Sequence, residues 1–119
     1  MQASGAGFWE CDLLNGAAWF SDWFRQRLSW PEVIKRQTLH DLRLAMQSDT
    51  WDLLLRTLRA HLEQGTPLDL EFQVQLGEGL TQRWRMRGSA QFNEFRHPTH
   101  FAGTMCDVSA GRAPRSQPT

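Results

Sequence analysis

The chain has 119 residues, which suits one domain with one core, and its 13 basic and 13 acidic side chains give a formal net charge of zero. That balance lacks the positive footprint of a nucleic-acid binder, so we expect no nucleic-acid partner. No apolar run approaches the ~20 residues that cross a bilayer, and the first residues lack the basic and apolar regions of a signal peptide. We therefore expect no membrane span and a cytoplasmic location.

The first elements of the chain form a predicted β-hairpin. An alternating strand begins at Phe8 or Trp9. Asn15 and Gly16 are the residue types that a tight hairpin turn prefers, because both central positions of that turn need positive φ. Residues 17–20 then form the return strand.

Short helical segments are predicted after the hairpin. Ser21 is placed to cap the first of them, because its hydroxyl can accept hydrogen bonds from the free N–H groups of the first turn. Pro31 interrupts the pattern, since proline fits only the first turn of a following helix. Thr38 precedes a further short segment at residues 39–46. Several helical pieces therefore lie between the hairpin and the next long element.

The clearest single element is a long amphipathic helix that begins near Ser48 or Asp49 and ends at Gln64. Gly65 is a typical C-terminal stop for such a helix. The apolar residues share one face at helical spacing, namely Trp51, Leu54, Leu55, Leu58 and Leu62. We expect that face to lie across a sheet.

Three strands are predicted after the helix, because apolar residues fall on alternate positions there. These residues are Leu70, Phe72, Val74, Leu76, Trp84, Met86, Ala90 and Phe92. A glycine-rich turn at residues 77–79 and a loop at 93–98 separate the strands. Residues 1–6 are expected to form a flexible N-terminal end, residues 7–109 one domain, and residues 110–119 a linker or disordered end.

The order and spacing of several short motifs resemble those of PAS domains, in the subgroup that opens with a Gly-aromatic-Trp strand and closes with Asp-Ile/Val-Thr/Ser. The matching elements are the segments 7–12, 19–21 and 107–109, the pair Arg83-Trp84, and the residues Asp49, Glu71, Gly88 and Gly103. Departures are Gln73, where the family usually has arginine, and the loop 93–98, which lacks the usual glycine. The resemblance implies an α+β fold with a five-stranded antiparallel sheet, and with short helices and one long connecting helix on one face.

A sensory function is what the resemblance implies. The expected role is that of an input module without enzymatic activity of its own, in a bacterial-type signalling protein such as a histidine kinase, a diguanylate cyclase or a phosphodiesterase. Such modules bind a small ligand or a partner PAS domain, form homodimers, and pass a signal to a C-terminal output domain.

Two residues of the closing motif are expected to transmit that signal. Asp107 and Ser109 would tie the sheet to a following signalling helix. Asp107 lies where the alternation requires an apolar residue, so its carboxylate needs a partner. Local turn contacts at the end of the strand are the alternative interpretation of Asp107.

The apolar periodicities also predict that the inward faces of the helices and strands converge, either in a packed core or around a pocket. The candidate pocket residues are Trp23, Phe24, Leu54, Leu58, Phe72, Trp84 and Met86. The inferred inner faces carry few ionisable groups, which indicates a small and largely apolar ligand. A core that these rings fill completely is the favoured interpretation, and a ligand pocket is the alternative.

The sequence does not identify a cofactor, and it disfavours both haem and flavin. Flavin photosensors of this superfamily use a cysteine in an Asn-Cys-Arg-Phe motif, and neither Cys11 nor Cys106 has that context. His61 is the candidate haem ligand on the long helix, but it lies at the edge of the apolar stripe, so we interpret it as a half-exposed surface residue. The other histidines are expected to be solvated: His40, His97 and His100.

The cysteine pattern predicts neither a metal site nor a disulfide framework, since the chain has only two cysteines and no CxxC or Cys/His cluster. The topology that the resemblance implies places the first and last strands side by side, which would bring Cys11 near Cys106. Two buried, inert thiols are the favoured interpretation.

Two further functions remain open alternatives at this point. Exposed aromatic residues, expected at Trp9, Trp19 and Trp30, favour a ligand-free module that dimerises through its outer sheet face. A small α+β enzyme is the other alternative. His40 and Asp41 are adjacent and would point in different directions on a helix, and no nucleophile elbow, phosphate loop or metal spacing is present, so no catalytic residue is assigned.

Overall fold

A computed structural model describes residues 5–28, 30 and 37–109. Within these ranges the elements are β1 Ala6–Asp12, β2 Ala17–Phe20, α1 Asp22–Leu28, β3 Gln37–Thr38, a 3₁₀ helix Leu39–Ala45, α2 Ser48–Gln64, β4 Leu68–Gly77, β5 Leu80–Phe92 and β6 Pro98–Asp107. The predicted order of hairpin, short helices, long helix and three strands is confirmed. The expected linker at 110–119 and residues 1–4 lie outside the described residues, whereas Ala6, which we assigned to the N-terminal end, already belongs to β1.

The strands form one antiparallel sheet in the order β3-β2-β1-β6-β5-β4. The α+β class is confirmed, but the described chain has six strands where five were predicted. The additional strand is β3, whose two residues pair with β2 through Ala18 and Gln37 and through Ala17 and Thr38. A two-residue strand has no periodicity of its own, so the sequence pattern did not reveal it.

Side chains alternate between two faces of the sheet. The inner face carries Trp9, Trp84 and Met105, which are buried together with the apolar residues of the helices. The outer face carries the intervening positions, such as Phe8 and Glu10, which are exposed. Because successive strand residues point to opposite sides, the two faces have separate chemistry.

The first hairpin differs from the prediction in its turn. Four residues connect β1 to β2, and Gly16 takes the left-handed conformation at φ 78°. Asp12 organises the loop, since its Oδ1 accepts from Leu14 N at 2.7 Å and its carbonyl oxygen accepts from Gly16 N at 2.8 Å. Asn15 does not have the positive φ that a two-residue turn would require of it. The carboxylate of Asp12 thus makes a longer loop favourable.

Ser21 accepts one hydrogen bond from the sheet and one from the first turn of α1. Its Oγ accepts from Phe8 N at 2.9 Å, across the β1–β2 hairpin, rather than making the predicted cap. Its carbonyl oxygen accepts from Phe24 N at 3.0 Å, which is the bond that starts the helix. The hydroxyl therefore fixes β1 to the start of α1.

The long helix confirms its predicted bounds, and Gly65 ends it with φ 74°. Leu54 and Leu58 are buried, but Leu55 is exposed, so its assignment to the packed face is wrong. Phe92 is also exposed, because the pairing of β5 with β6 shifts register between Gln91 and Phe92. A register shift turns the following side chain away from the inner face, which alternation alone does not predict.

Glycines allow Trp9 to lie flat on the inner face. Trp9 is opposite Gly103, and Gly103 is opposite Gly88, so the indole covers a row without side chains. A Cβ at Gly88 would lie 2.8 Å from Trp9 Cζ2, and a Cβ at Gly103 would overlap the carbonyl oxygen of Arg87. The two glycines of the family motif therefore have a packing reason in this chain.

Candidate functional site: the inner-face core and the end of β6

The predicted pocket residues all come together in one buried cluster on the inner face. Trp23 and Phe24 enter it from α1, and Trp84 enters from β5. The ring centroids of Trp23 and Trp84 are 4.7 Å apart, and those of Phe24 and Trp84 are 6.1 Å apart in an edge-to-face arrangement. The helices and the sheet thus meet through aromatic contacts, which add to the stabilisation from burial alone.

The cluster has further members that were not among the candidate pocket residues, although Cys11 was expected to be buried and Val74 to lie on the apolar side of its strand. These members are Trp9, Cys11, Phe20, Leu42, Ala45, Leu68, Val74, Phe101 and Met105. Trp9 was expected at an exposed dimer contact, and this is wrong, because Trp9 is 1% exposed. Glu10 and Asp12 alternate with Trp9 and Cys11 along β1, and their charges indicate which phase of the strand faces outward. That alternation was the available signal.

The end of β6 is attached to β5 by the closing motif. Ser109 Oγ accepts from Arg83 N at 2.8 Å, and Val108 N donates to Arg83 O at 2.8 Å. Asp107 Oδ1 accepts from Ser109 N at 2.8 Å, a local contact within the motif. Trp84 is directly opposite Asp107 in the sheet. The last described residues are therefore fixed to the strand that carries the central tryptophan of the cluster.

His61 connects the end of α2 to the sheet. Its Nε2 accepts from Ala90 N at 3.0 Å, which requires an unprotonated nitrogen there, so Nδ1 carries the proton and donates to Thr66 O at 2.6 Å. The expected half-exposed position of His61 is confirmed, but its two hydrogen bonds were not predicted. A histidine one turn before a helix-ending glycine is the signal that could have indicated a contact to the following loop.

The other histidines have separate surroundings. His40, in the 3₁₀ helix, makes an edge contact with Trp51 at 5.6 Å between ring centroids. His100, which was expected to be solvated, lies in β6 and is half-exposed, with its Nε2 3.9 Å from Asp12 Oδ2. His97 is exposed in the loop between β5 and β6. In that loop Arg96 takes the left-handed conformation at φ 66°.

The two cysteines lie on neighbouring strands but do not meet. Cys11 is opposite Phe101, and Cys106 is opposite Ala6, so five positions along β1 separate them. This corresponds to roughly 17 Å, too far for a disulfide. Cys11 is buried, and burial followed by the nearby Asp12 carboxylate raises the pKa of its thiol. Cys106 is only half-buried, which corrects the expectation of two buried thiols.

The outer face carries ion pairs between β4 and β5. Arg85 binds Asp69 with two hydrogen bonds of 2.8 and 2.7 Å, and Arg83 Nε lies 3.2 Å from Glu71 Oε1. The hydrogen bonds from Arg85 are the main reason that the pKa of Asp69 is lowered. Burial opposes this effect to a smaller extent, and the charges of Arg85 and Arg87 lower the pKa further. These pairs are partly exposed, so each stabilises the fold only slightly.

Exposed aromatic residues occupy the other side of the outer face. Phe8 and Trp19 are 54% and 52% exposed. Trp30, which was expected at the same kind of surface, is half-buried and packs with its ring centroid 5.0 Å from that of Phe20. Of the predicted dimer-contact residues, only Trp19 has the expected exposure.

Solved structures of PAS sensors resemble this fold. A sensory box histidine kinase/response regulator from Burkholderia thailandensis is 26% identical, with 96% of this chain and 84% of that chain covered and a TM-score of 0.76. The N-terminal domain of a diguanylate cyclase with PAS/PAC sensor from Marinobacter aquaeolei is 15% identical, with 90% and 98% covered and a TM-score of 0.75. No protein-family model and no curated protein matches the chain. The chain has the PAS fold, and the resemblance inferred from its sequence is confirmed.

The comparisons correct one expectation about cofactors. A light-oxygen-voltage domain studied with a flavin analogue is 18% identical, with 92% of this chain and 82% of that chain covered and a TM-score of 0.66. Other light-oxygen-voltage domains also match. The expectation that flavin is disfavoured is therefore wrong, because flavin-binding domains share this fold. Binding experiments on this chain have to include flavins.

The described residues contain neither a membrane-spanning helix nor a cluster of metal ligands. In residues 5–28, 30 and 37–109, no helix combines the length and the apolar character needed to cross a bilayer. Over the same ranges, histidine, cysteine and carboxylate side chains form no group of three that would hold a metal ion.

Proposed function

We propose that this chain is the non-catalytic sensory input module of a larger signalling protein, and that a small, largely apolar ligand among the inner-face rings sets its output. One observation carries the proposal: the aromatic cluster and the end of the domain share a strand. Trp84 packs against Trp23 from α1, while its neighbour Arg83 binds the backbone and side chain of the closing motif. A compound that displaces Trp84 would therefore act on the residues that lead to an output domain.

The first experiment is native mass spectrometry of freshly purified protein, with an absorption spectrum of the same sample. We expect additional mass from a bound compound, and a flavin would also be visible in the spectrum. Hydrogen exchange then compares the loaded protein with protein that has been stripped of the compound. The amides of Arg83 and Val108 should change their protection, because both bonds belong to the closing motif.

Ser109→Ala tests the path to the output. It removes the acceptor of Arg83 N, so we expect the ligand-dependent difference in exchange to disappear at Arg83. Ser89→Ala is the matched control, because Ser89 is an exposed residue of the same strand. Two results together would contradict ligand sensing. The purified protein would carry no ligand, and no compound class in a metabolite library would raise its melting temperature.

A ligand-free dimerisation module is the second candidate, and the exposed rings of Phe8 and Trp19 favour it. Trp19→Ser should then raise the dimer dissociation constant in sedimentation experiments. Leu14→Ser is the control, because Leu14 is even more exposed than Trp19, at 77% against 52%, but lies in the β1–β2 loop. A protein that is monomeric at all accessible concentrations would remove this candidate.

A further inference from the structure

The buried tryptophans of the inner face differ in the partners of their indole N–H groups. Trp9 Nε1 donates to Thr104 O at 3.1 Å, and Trp84 Nε1 donates to Gln82 Oε1 at 2.9 Å. Trp23 is 5% exposed, and its Nε1 has no hydrogen-bond partner among the described residues. A buried indole N–H normally finds an acceptor, so the group of Trp23 is an exception that requires an explanation.

A second side-chain donor on the same face also lacks a partner. Gln37 is 6% exposed, and it is the one buried residue with a polar side chain within the described ranges. Its Oε1 accepts from Arg25 Nη2 at 3.4 Å, but its Nε2 finds no acceptor in the part of the chain that the structure describes. Gln37 is opposite Ala18, which is opposite the buried Cys11, so its side chain lies on the inner face.

The two donors lie at different places on that face. Trp23 covers Gly7, because a Cβ at Gly7 would lie 2.7 Å from Trp23 Cε3. Gln37 belongs to the row of Cys11, four positions further along β1, which corresponds to roughly 13 Å. A small bicyclic compound can therefore reach one donor, and only an elongated compound can reach both.

We propose that the ligand of the inner face is an uncharged compound with an apolar body and at least one hydrogen-bond acceptor, which accepts from Trp23 Nε1–H. This inference rests on the proposed function and names the chemistry of its ligand. Carbonyl oxygens and aromatic ring nitrogens are acceptors of this class. The unmatched groups are both donors, so the chain supplies no reason for a donor on the ligand. The surrounding rings favour an apolar body. The cation next to Trp23 is Arg27, which already contacts the indole ring at 4.2 Å and donates to Trp23 O at 3.1 Å, so it does not require a charged ligand.

A recess lies on the surface next to α1, on the other side of Trp30 and Phe24 from the unpartnered indole. It has a volume of about 300 Å³ and is lined by Asp22, Arg25, Gln26 and Trp30. Trp30 stacks on Phe24 at 6.3 Å between centroids, and Phe24 contacts Trp23 at 5.1 Å. A shift of Trp30 and Phe24 would open a route from this recess to the unpartnered indole.

The test uses two probes with one carbon skeleton, 1-tetralone and tetralin, which differ in a single carbonyl group. Their dissociation constants are measured on the whole chain and on Trp23→Phe, which keeps a ring at this position but removes the N–H. We expect the affinity of 1-tetralone relative to tetralin to fall roughly 5- to 150-fold in Trp23→Phe, the range for leaving a buried polar group unpaired. The ¹H resonance of the Trp23 indole, identified by its absence in the variant, should shift with 1-tetralone and not with tetralin.

Two further variants separate the alternatives. Trp9→Phe removes a donor that already has a partner and lies outside the candidate pocket residues, so it should leave the relative affinity unchanged. Gln37→Leu should also leave it unchanged; a fall there, without a fall in Trp23→Phe, would overturn the assignment to Trp23. Equal relative affinity in the wild-type chain and in Trp23→Phe overturns the inference but not ligand sensing. Failure of both probes to bind, together with the absence of any bound compound in native mass spectrometry, overturns both.

Discussion

The inner face of the sheet is stabilised by shape and burial, whereas the outer face carries ion pairs and exposed rings. On the inner face Trp9 fits over Gly103 and Gly88, and no larger residue can replace either glycine without moving backbone. On the outer face Asp69 and Arg85 are bonded but remain partly exposed to water. Small substitutions on the inner face should therefore lower the free energy of unfolding strongly. Substitutions on the outer face should be tolerated, because the side chains there can change without loss of the fold.

The largest expected effect is that of Gly103→Ala. The added methyl group would meet the backbone of Arg87 and Gly88 as well as the ring of Trp9, so we expect a loss of at least about 3 kcal/mol in the free energy of unfolding. Gly77→Ala is the control, because a Cβ at Gly77 has no atom within 4 Å. Urea unfolding should place the control within about 0.5 kcal/mol of the wild-type protein. Equal effects at the two sites would refute the glycine-row account.

His61→Phe tests how much the hydrogen bond between α2 and β5 contributes to stability at the edge of the inner face. The ring is retained, but Ala90 N and Thr66 O lose their partner, and we expect a cost of about 1–2 kcal/mol. Thermal or urea unfolding measures it, and amide exchange at Ala90 should accelerate. His97→Phe is the control, because His97 is exposed in a loop. A variant as stable as the wild-type protein would show that the two bonds contribute nothing net.

Substitutions of the two cysteines test the two faces directly, because Cys11 points inward and Cys106 points outward. Cys11→Ser buries a hydroxyl among apolar groups and should cost about 1 kcal/mol or more, whereas Cys106→Ser should stay within about 0.5 kcal/mol. In the wild-type protein iodoacetamide should label Cys106 faster, since the raised pKa of Cys11 keeps its thiol protonated and burial hinders access. Faster labelling of Cys11 would contradict the inward orientation.

The smallest effect is expected from the Asp69–Arg85 pair on the outer face. Because the fold lowers the pKa of Asp69, its contribution to stability is present above the ordinary aspartate pKa and is lost as the pH falls through the lowered value. An NMR titration should find the pKa of Asp69 below its usual range in the wild-type protein and closer to that range in Arg85→Gln. An unchanged pKa in the variant would show that Arg85 is not the cause.

Helical spacing and strand alternation were sufficient for the element order, because each depends on residues close in sequence. The bounds of α2 followed from Ser48 and Gly65, and the turn before Leu80 followed from its glycines. Leu55 and Phe92 were misassigned for a different reason. Their exposure depends on which stripe of the helix meets the sheet and on a register shift, and neither is set by local periodicity.

The candidate site shows the same division. The convergence of Trp23, Phe24 and Trp84 could be predicted from their apolar spacing, because burial of large rings requires a common core. The hydrogen-bond partners of the polar atoms could not be predicted from the sequence. The bonds of Ser109 to Arg83 and of His61 to Ala90 join residues more than 25 positions apart, and they exist only once the strands are in register.

The sequence by itself determined the class of fold, the helix and strand order and the apolar residues of the core, since periodicity and turn residues act locally. Only the tertiary structure decided that Leu55 and Phe92 are exposed, that the cysteines lie apart, and that the indole of Trp23 has no acceptor within the described ranges. The physical reason is that partner choice for a polar or aromatic group depends on distant segments, whose positions are fixed by the pairing of the strands.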